Sequence, residues 1–212
     1  MKILAIIGSP RKNGTVSKLA QNILDAAEVN GHLTELINLY NYEIKPCIGD
    51  WACVKQGKCH IQDDFEIIFH KLKEAEIVIL GSPVYWANIS GVMKTFFDRH
   101  TGYAMFKPPN AQNFYKLSRW QKIKTILRLM REFGPIDPRF KEKKYILITA
   151  ATVPFKRIMG EISPTINAMR KFAKKLKGKI IGTLIYTDTL FKFKKNKEKI
   201  MLNKAYNLGR KL

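Results

Sequence analysis

Apolar and polar positions follow two different patterns along the chain: short apolar segments and helical periodicity. Short apolar segments of strand length occur at five places: 2–8, 33–39, 76–83, 144–152 and 179–187. Between them, apolar residues recur at helical spacing, which predicts amphipathic helices. These helices begin near residue 15 and near residue 63, and further ones are predicted at 91–99, 119–133 and 163–176. Strands that alternate with helices predict an α/β domain with a parallel sheet.

A sheet of this kind directs attention to the loops at its carboxyl edge. Ligands of open α/β sheets bind beyond the carboxyl ends of the strands, beside the point where the strand order reverses. The loops after the first, third and fourth strands therefore form the candidate site. A chain of 212 residues is long enough for one domain with a sizeable core. We predict a single domain over 1–212, with a helical insert at about 100–143 before the fourth strand and a basic C-terminal extension at about 189–212.

The first of these loops has the composition of a phosphate site. The segment "GSPRKNGTVS" (8–17) leaves a buried strand and enters a helix, whose N-terminus supplies free N–H groups and a partial positive charge. Its glycine spacing matches neither a Walker A loop nor the G-x-G-x-x-G dinucleotide loop. It carries several side-chain donors: Ser9, Arg11, Asn13, Thr15 and Ser17. An anion site and a plain strand-to-helix turn are both open for this loop.

The loop after the third strand adds aromatic side chains. The segment "GSPVYWANISG" (81–91) places Tyr85 and Trp86 at a loop tip, where stacking on a planar ligand would use them. A hydrophobic plug or a dimer contact would use them as well. Because this strand is expected beside the first one, the two loops together predict a pocket for a flat, phosphorylated cofactor such as FMN.

The net charge of +21 is concentrated in the second half of the chain. Residues 1–98 carry −1, residues 99–144 carry +9 and residues 145–212 carry +13. Solvated basic faces and a specific anionic partner both explain this distribution, but no recognition motif indicates nucleic acid. No apolar segment approaches the ~20 residues of a membrane span. Three cysteines without a secretory segment predict a reducing, cytoplasmic setting.

Three sequence blocks together resemble one known family. They are "GSPRKNGT" (8–15), the cysteine segment that leads into "DDF" (46–65), and "IVILGSPVYWANISGVMKTFFDR" (77–99). The chain resembles the flavodoxin-like NAD(P)H-dependent FMN reductases, and within them the iron–sulfur flavoprotein branch. The resemblance is dense over 1–99 and looser over 144–187. It implies a flavodoxin-like three-layer sandwich whose five-stranded parallel sheet has the order 2-1-3-4-5.

The resemblance also implies which residues bind FMN. By position, the phosphate would be held by Ser9, Arg11, Asn13, Gly14, Thr15 and Ser17. The ring and the ribityl chain would be lined by Pro83, Val84, Tyr85, Trp86 and Asn88. The other side of the ring would be closed by Thr149, Ala150, Ala151 and Thr152.

The function that the resemblance implies is NAD(P)H-dependent oxidoreduction. FMN takes up hydride at its N5 atom from a stacked nicotinamide, so we expect no catalytic acid or base from the chain. NADH and NADPH are both open as donors, and an acidic redox protein is a candidate partner. A homo-oligomer, either dimer or tetramer, is also expected. An iron–sulfur electron carrier and a regulatory or membrane-surface flavin protein remain as alternatives.

All three cysteines lie in "PCIGDWACVKQGKC" (46–59). Iron–sulfur flavoproteins carry a compact C-x2-C-x2-C run and a fourth cysteine shortly after it. Cys47, Cys53 and Cys59 match the first, third and fourth positions, and Asp50 stands at the second. The loop has therefore lost its cluster, holds an Asp50-ligated or three-iron cluster, or serves as a zinc site or as redox-active thiols. We take the first as the prediction, with FMN as the resident cofactor.

The predicted helix at 119–133 combines an apolar stripe with basic side chains. The stripe consists of Trp120, Ile123, Ile126, Leu127, Met130 and Phe133. The basic residues around it are Arg119, Lys122, Lys124, Arg128 and Arg131. A subunit interface or flavin lid is the prediction, while a peripheral contact with an anionic membrane and a docking face for an acidic protein stay open. The tail contains a further predicted helix at 197–209, which either packs on another subunit or is solvated.

Overall fold

Five parallel strands form the central sheet. The computed structural model describes residues 1–50, 52–53, 59–101, 116–132, 137–140, 142–152, 160, 162–189 and 196–212. The strands are β1 (Lys2–Ile7), β2 (Leu33–Asn38), β3 (Ile77–Pro83), β4 (Lys144–Ala150) and β5 (Lys179–Tyr186). They pair in the order β2-β1-β3-β4-β5, and every pair is parallel. The predicted flavodoxin-like sheet order is thereby confirmed, with strand ends that differ from the predicted ones by one or two residues.

Helices connect the strands and cover both faces of the sheet. They are α1 (Thr15–Val29), α2 (Phe65–Glu74), α3 (Gly91–Asp98), α4 (Arg119–Glu132), α5 (Ile162–Lys175) and α6 (Lys197–Gly209). Short 3-10 turns lie at Leu39–Asn41 and Pro138–Phe140. Of the helices that the structure describes, none has the length and apolar content needed to cross a membrane.

Two hydrophobic cores separate the three layers. Side chains alternate along β1, so that Leu4 and Ile6 face one core while Ile3, Ala5 and Ile7 face the other. The first core also contains buried residues of α2, α3 and α5, and the second contains buried residues of α1 and α6. Because both faces of the sheet are covered, the central strands β1 and β3 consist of nearly continuous apolar residues.

The C-terminal helix α6 belongs to this sandwich. Ala205 and Gly209 of α6 are buried, and α6 packs closely along α1. A Cβ atom at Gly209 would lie 2.3 Å from the carbonyl oxygen of Ile23 in α1, which shows how near the two backbones come. At the other end of the contact, the Lys18 ammonium pairs with Glu198 at 3.0 Å. The predicted helix is therefore confirmed, but it packs on α1 of its own chain instead of being a solvated end.

The predicted insert is described only in part. Its helix is confirmed as α4, whereas residues 102–115, 133–136 and 141 lie outside the described residues. The predictions for the side chains of Met130 and Arg131, and for Phe133 as a whole, fall outside them too.

Candidate functional site

The loops predicted from the sequence meet at the carboxyl edge of the sheet. The strand order reverses between β1 and β3, and the two strands stay joined at their ends, where the Gly8 N–H donates to the carbonyl of Gly81 at 2.8 Å. One strand further, the Val84 N–H donates to the carbonyl of Ala150 at 2.9 Å. The loops after β1, β3 and β4 are therefore neighbours, at the position where sheets of this class bind ligands.

The first loop presents an uncapped helix N-terminus. Gly14 is the N-cap residue of α1, and no side chain of the described residues caps this end of the helix. The first turn of α1 also contains no acidic residue. The Gly14 N–H donates to the carbonyl of Arg11 at 3.0 Å, which closes a turn directly before the helix. The N–H groups of the first turn are thus available to an anion.

The side chains predicted to hold a phosphate divide into two groups. Arg11 and Asn13 are exposed, and Thr15 is half-buried at the start of α1. Ser9 and Ser17 are buried: the Ser9 hydroxyl accepts the Arg11 N–H at 3.3 Å, and the Ser17 hydroxyl donates to the Arg11 carbonyl at 3.4 Å. The first group can reach a ligand directly, while the two serines shape the loop that presents them.

A cavity of about 380 Å³ opens beside this loop. From the predicted site it takes in Arg11, Asn13, Gly14 and Thr15. Four further residues that the sequence did not indicate complete its lining: Lys18, Tyr186, Thr189 and Glu198. Since Tyr186 ends β5 and Glu198 lies in the first turn of α6, the C-terminal segment contributes a wall to the predicted phosphate site.

The second loop is a tight turn with an exposed tryptophan. Tyr85 and Asn88 exchange two backbone hydrogen bonds, of 2.8 and 2.9 Å, across the turn. The two residues between them, Trp86 and Ala87, have positive φ angles of 48° and 58°. Left-handed conformations cost non-glycine residues free energy, and they persist at sites where the surroundings or a ligand require them. The turn holds the Trp86 side chain fully in solvent, as a surface for a ligand or partner.

The residues at the end of β4 have unequal roles. Thr149 is fully buried, and its hydroxyl donates to the carbonyl of Ser82 at 2.8 Å. Ala150 and Ala151 are small and almost buried, and Thr152 is exposed at the start of the next loop. Thr149 therefore joins β4 to β3, and the shorter residues after it leave room at the sheet edge.

The loop after β2 adds residues that the sequence did not indicate. The side-chain amide of Asn38 donates to the carbonyl of Ser9 at 2.9 Å and accepts the Tyr40 N–H at 3.1 Å. Burial raises the pKa of Tyr40, and the nearby Tyr85 hydroxyl raises it further. The sequence signal that could have indicated Asn38 is a polar residue at the end of β2, the strand beside β1.

The chemical groups of these loops match the two parts of FMN, its phosphate and its ring. Uncapped helical N–H groups, a guanidinium and hydroxyl groups suit a phosphate, whereas the exposed indole and phenol suit a flat ring system. The first set lies in the loop after β1 and the second in the loop after β3, so the two sets follow adjacent parallel strands.

The cysteine segment forms a separate cavity of about 260 Å³. Cys47 is exposed, Cys53 and Cys59 are half-buried, and all three are reduced. They line the cavity together with Asp50 and Arg99. The three thiols and the carboxylate of the predicted motif thus line one cavity.

Asp50 is already engaged by neighbouring groups. One carboxylate oxygen accepts the Ala52 N–H at 3.2 Å, and the other lies 3.4 Å from Nε2 of His60. Among the residues that the structure describes, no three His, Cys, Asp or Glu side chains are placed to hold a metal ion. The donor types suit an iron–sulfur cluster, but the arrangement is not that of four ready ligands.

Arg99, which lines this cavity, belongs to a buried ion pair. The Arg99 guanidinium pairs with both oxygens of Asp63, and the two side chains are almost wholly buried. Arg99 also donates to the carbonyl of Lys45 at 2.9 Å and to that of Ile61 at 3.3 Å. Burial works to raise the pKa of Asp63, but the bonds from Arg99 and from the N–H groups of Lys45 and Phe65 hold it below its ordinary value. The pair anchors both ends of the cysteine segment.

Comparisons with known proteins agree with this site. The profile of the family described as NADPH-dependent FMN reductase matches residues 1–113. An iron–sulfur flavoprotein of Methanocaldococcus jannaschii is 44% identical over 99 residues, which cover 47% of this chain and 51% of that protein. The chain therefore spans about half the length of the curated relatives it matches.

The similarity of fold extends over the whole chain. An azoreductase from Bacillus anthracis superposes with a TM-score of 0.68 at 16% identity, covering 100% of this chain and 99% of the azoreductase. An NAD(P)H:quinone oxidoreductase from Methanothermobacter marburgensis gives a TM-score of 0.68 at 14% identity, with coverage of 99% and 94%. At these identities the two structures support the fold.

Proposed function

The chain belongs to the NADPH-dependent FMN reductase family, and on that premise we propose that it is an oxidoreductase that binds FMN and passes electrons from NAD(P)H to an acceptor. The observation that carries this proposal is the meeting of two loops across the β1–β3 boundary. One offers the uncapped N-terminus of α1, and the other holds Trp86 in solvent. A phosphate and a planar ring are the ligand parts that these features suit.

Different groups of residues would bind the phosphate, the ribityl chain and the ring of FMN. Arg11, Asn13, Thr15 and the first-turn N–H groups of α1 would hold the phosphate, with Ser9 and Ser17 fixing the loop. Pro83, Val84, Tyr85, Trp86 and Asn88 would line the ribityl chain and the ring. Ala150, Ala151 and Thr152 would leave space on the β4 side, with Thr149 holding β4 against β3.

The chemistry belongs to the cofactor. Bound FMN supplies a centre that takes up a hydride and then releases electrons. The chain has to place the ring, keep one face open to a nicotinamide and shield the other from water, none of which requires a catalytic acid or base. NAD(P)H is the proposed donor, and either nicotinamide fits this scheme.

The direct test measures flavin content and reduction. The protein purified from cells, or incubated with FMN and desalted, should retain about one FMN per chain. Anaerobic addition of NADH or NADPH should then bleach the flavin absorbance. Retained FMN that neither nicotinamide bleaches would overturn the reductase activity but leave FMN binding intact. Failure to retain FMN would overturn the site itself.

A second function is supported by the cysteine cavity. Cys47, Asp50, Cys53 and Cys59 line the same cavity, so an electron carrier with an Asp50-ligated or three-iron cluster beside FMN is the alternative. Anaerobic purification with iron and sulfide analysis distinguishes the two functions. A flavin alone shows only its own visible bands, whereas a cluster adds broad absorbance and stoichiometric iron.

The assembly and the setting are further parts of the proposal. We propose a cytoplasmic homo-oligomer, and the reduced cysteines support the reducing setting. An acidic redox protein would complement the basic second half of the chain. Light scattering after size-exclusion chromatography tests the assembly, and a monomer at all concentrations would contradict it.

A further inference from the structure

The helix of the insert, α4, exposes several large apolar side chains. Trp120 is 74% exposed, Ile123 38%, Ile126 46% and Leu127 54%. Their spacing places them along one side of the helix. None of the other strands and helices that the structure describes packs extensively on α4. An apolar stripe of this size on a soluble-protein surface indicates a contact with something else.

Basic side chains border this stripe on both sides. On a helical projection, Lys124 and Arg128 lie along one margin and Lys122 along the other, while Arg119, the first residue of the helix, lies within the arc of the stripe. Glu132 is the only acidic residue in α4, at its last position. The segment 99–144 to which the helix belongs carries +9. The partner of this face should therefore combine an apolar layer with negative charge.

A second copy of the chain does not have that combination. In a two-fold dimer the same patch meets itself, so the basic margins of one α4 would face those of the other. Like charges brought together in this way oppose association. The whole chain carries +21, which adds to the repulsion at low salt.

We propose that α4 docks the protein on an anionic lipid surface. Trp120, Ile123 and Leu127 would enter the boundary between headgroups and acyl chains, and Lys122, Lys124 and Arg128 would contact the anionic headgroups. A helix with large apolar residues on one side and lysine or arginine along both margins is typical of helices that lie in the membrane interface. Tryptophan is also enriched at that depth. This inference uses no residue of the proposed FMN site and stands independently of it.

Vesicle co-sedimentation with the full chain tests the proposal. The protein should sediment with vesicles of phosphatidylcholine and phosphatidylglycerol and stay in solution with phosphatidylcholine alone. High salt should weaken the binding, because the electrostatic part is screened. Absence of binding to anionic vesicles at low salt would overturn the proposal.

Matched variants separate α4 from general positive charge. Lys122→Gln with Lys124→Gln should weaken vesicle binding by up to about fivefold per lysine. Lys171→Gln with Lys174→Gln removes the same charge from exposed positions of α5 and should change it little. Equal losses in the two double variants would mean that net charge alone drives binding, and would overturn the role of α4.

Apolar variants complete the test. Trp120→Ser with Leu127→Ser should abolish the salt-resistant part of the binding while the circular dichroism spectrum and urea midpoint stay unchanged. Retained salt-resistant binding to the vesicles would contradict the docking geometry. A second result would also contradict it: the wild type does not bind vesicles, and the variant loses self-association or loses binding to an acidic protein.

Discussion

The side-chain amide of Asn38 donates a hydrogen bond of 2.9 Å to the carbonyl oxygen of Ser9, and this bond joins the end of β2 to the predicted phosphate loop. Asn38→Ala should weaken FMN binding by about fivefold, since a buried hydrogen bond contributes about 1 kcal/mol. Fluorescence titration with FMN measures the dissociation constant. Asn41→Ala, at an exposed position of the following turn, is the control and should bind FMN like the wild type. Unchanged affinity in Asn38→Ala would contradict a positioning role.

Trp86 offers a way to separate ligand binding from stability. Its side chain is fully exposed, so Trp86→Ala should change the free energy of unfolding by less than about 0.5 kcal/mol. If the indole contacts the flavin ring, the same change should weaken FMN binding by about three- to tenfold. Trp120→Ala, which removes another exposed indole outside the proposed site, should leave FMN affinity unchanged. Equal FMN affinities in the two variants would argue against an aromatic wall at Trp86.

Much of the fold follows from the sequence because it depends on local periodicity. Strands buried on both faces and amphipathic helices leave separate signals, which is why β1 and β3 begin and end, and α1 begins, close to the predicted residues. The loops at the strand ends follow from the sheet type. What the sequence indicated less well are contacts between distant segments, such as Asn38 with Ser9 or Arg99 with Asp63.

The C-terminal helix shows the same limit. Its extent, Lys197–Gly209, agrees with the prediction, but its partner α1 lies at the other end of the chain. The lysines of α6 gave the segment the composition of a solvated tail. Only the close approach of Gly209 to Ile23 shows that a small residue was required there.

That approach predicts a steric effect at Gly209. Gly209→Ala places a methyl group 2.3 Å from the carbonyl oxygen of Ile23, so α6 must shift and the protein should lose about 1–3 kcal/mol of stability. Gly91→Ala is the matched control, since a Cβ atom there meets nothing within 4 Å. Alanine also favours a helix over glycine, so the control should be neutral or slightly stabilised. Urea unfolding measures both, and a neutral Gly209→Ala would show that α6 does not pack tightly on α1.

The buried pair of Asp63 and Arg99 predicts an acid-sensitive fold. Asp63→Asn should destabilise the protein by about 3 kcal/mol or more, because it leaves the Arg99 charge buried with a neutral partner. The pKa of Asp63 is lowered in the folded state, so its contribution is present above the ordinary pKa of aspartate and is lost as the pH falls below about 4.

Urea midpoints measured between neutral pH and pH 3 check this expectation. The wild type should lose stability on acidification. Asp63→Asn should lose less, since it lacks the carboxyl group whose protonation causes the loss. Asp25→Asn, at an exposed position of α1, should follow the wild type. Parallel pH curves for Asp63→Asn and the wild type would contradict the assignment.

Asp50 decides what the cysteine cavity can hold. It stands where the resemblance places the second cluster cysteine, and its oxygens are engaged by the Ala52 N–H and His60. A four-iron cluster is usually held by four thiolates. Asp50→Cys replaces the carboxylate by the fourth thiol. Anaerobic reconstitution of this variant with iron and sulfide should therefore load about four irons per chain. Asp50→Ala removes the same carboxylate without adding a ligand and should load no more iron than the wild type.

Four-iron loading of the wild type would show that Asp50 itself serves as a ligand. Failure of Asp50→Cys to load iron, in a protein that still binds FMN, would show that the cavity has lost more than one ligand.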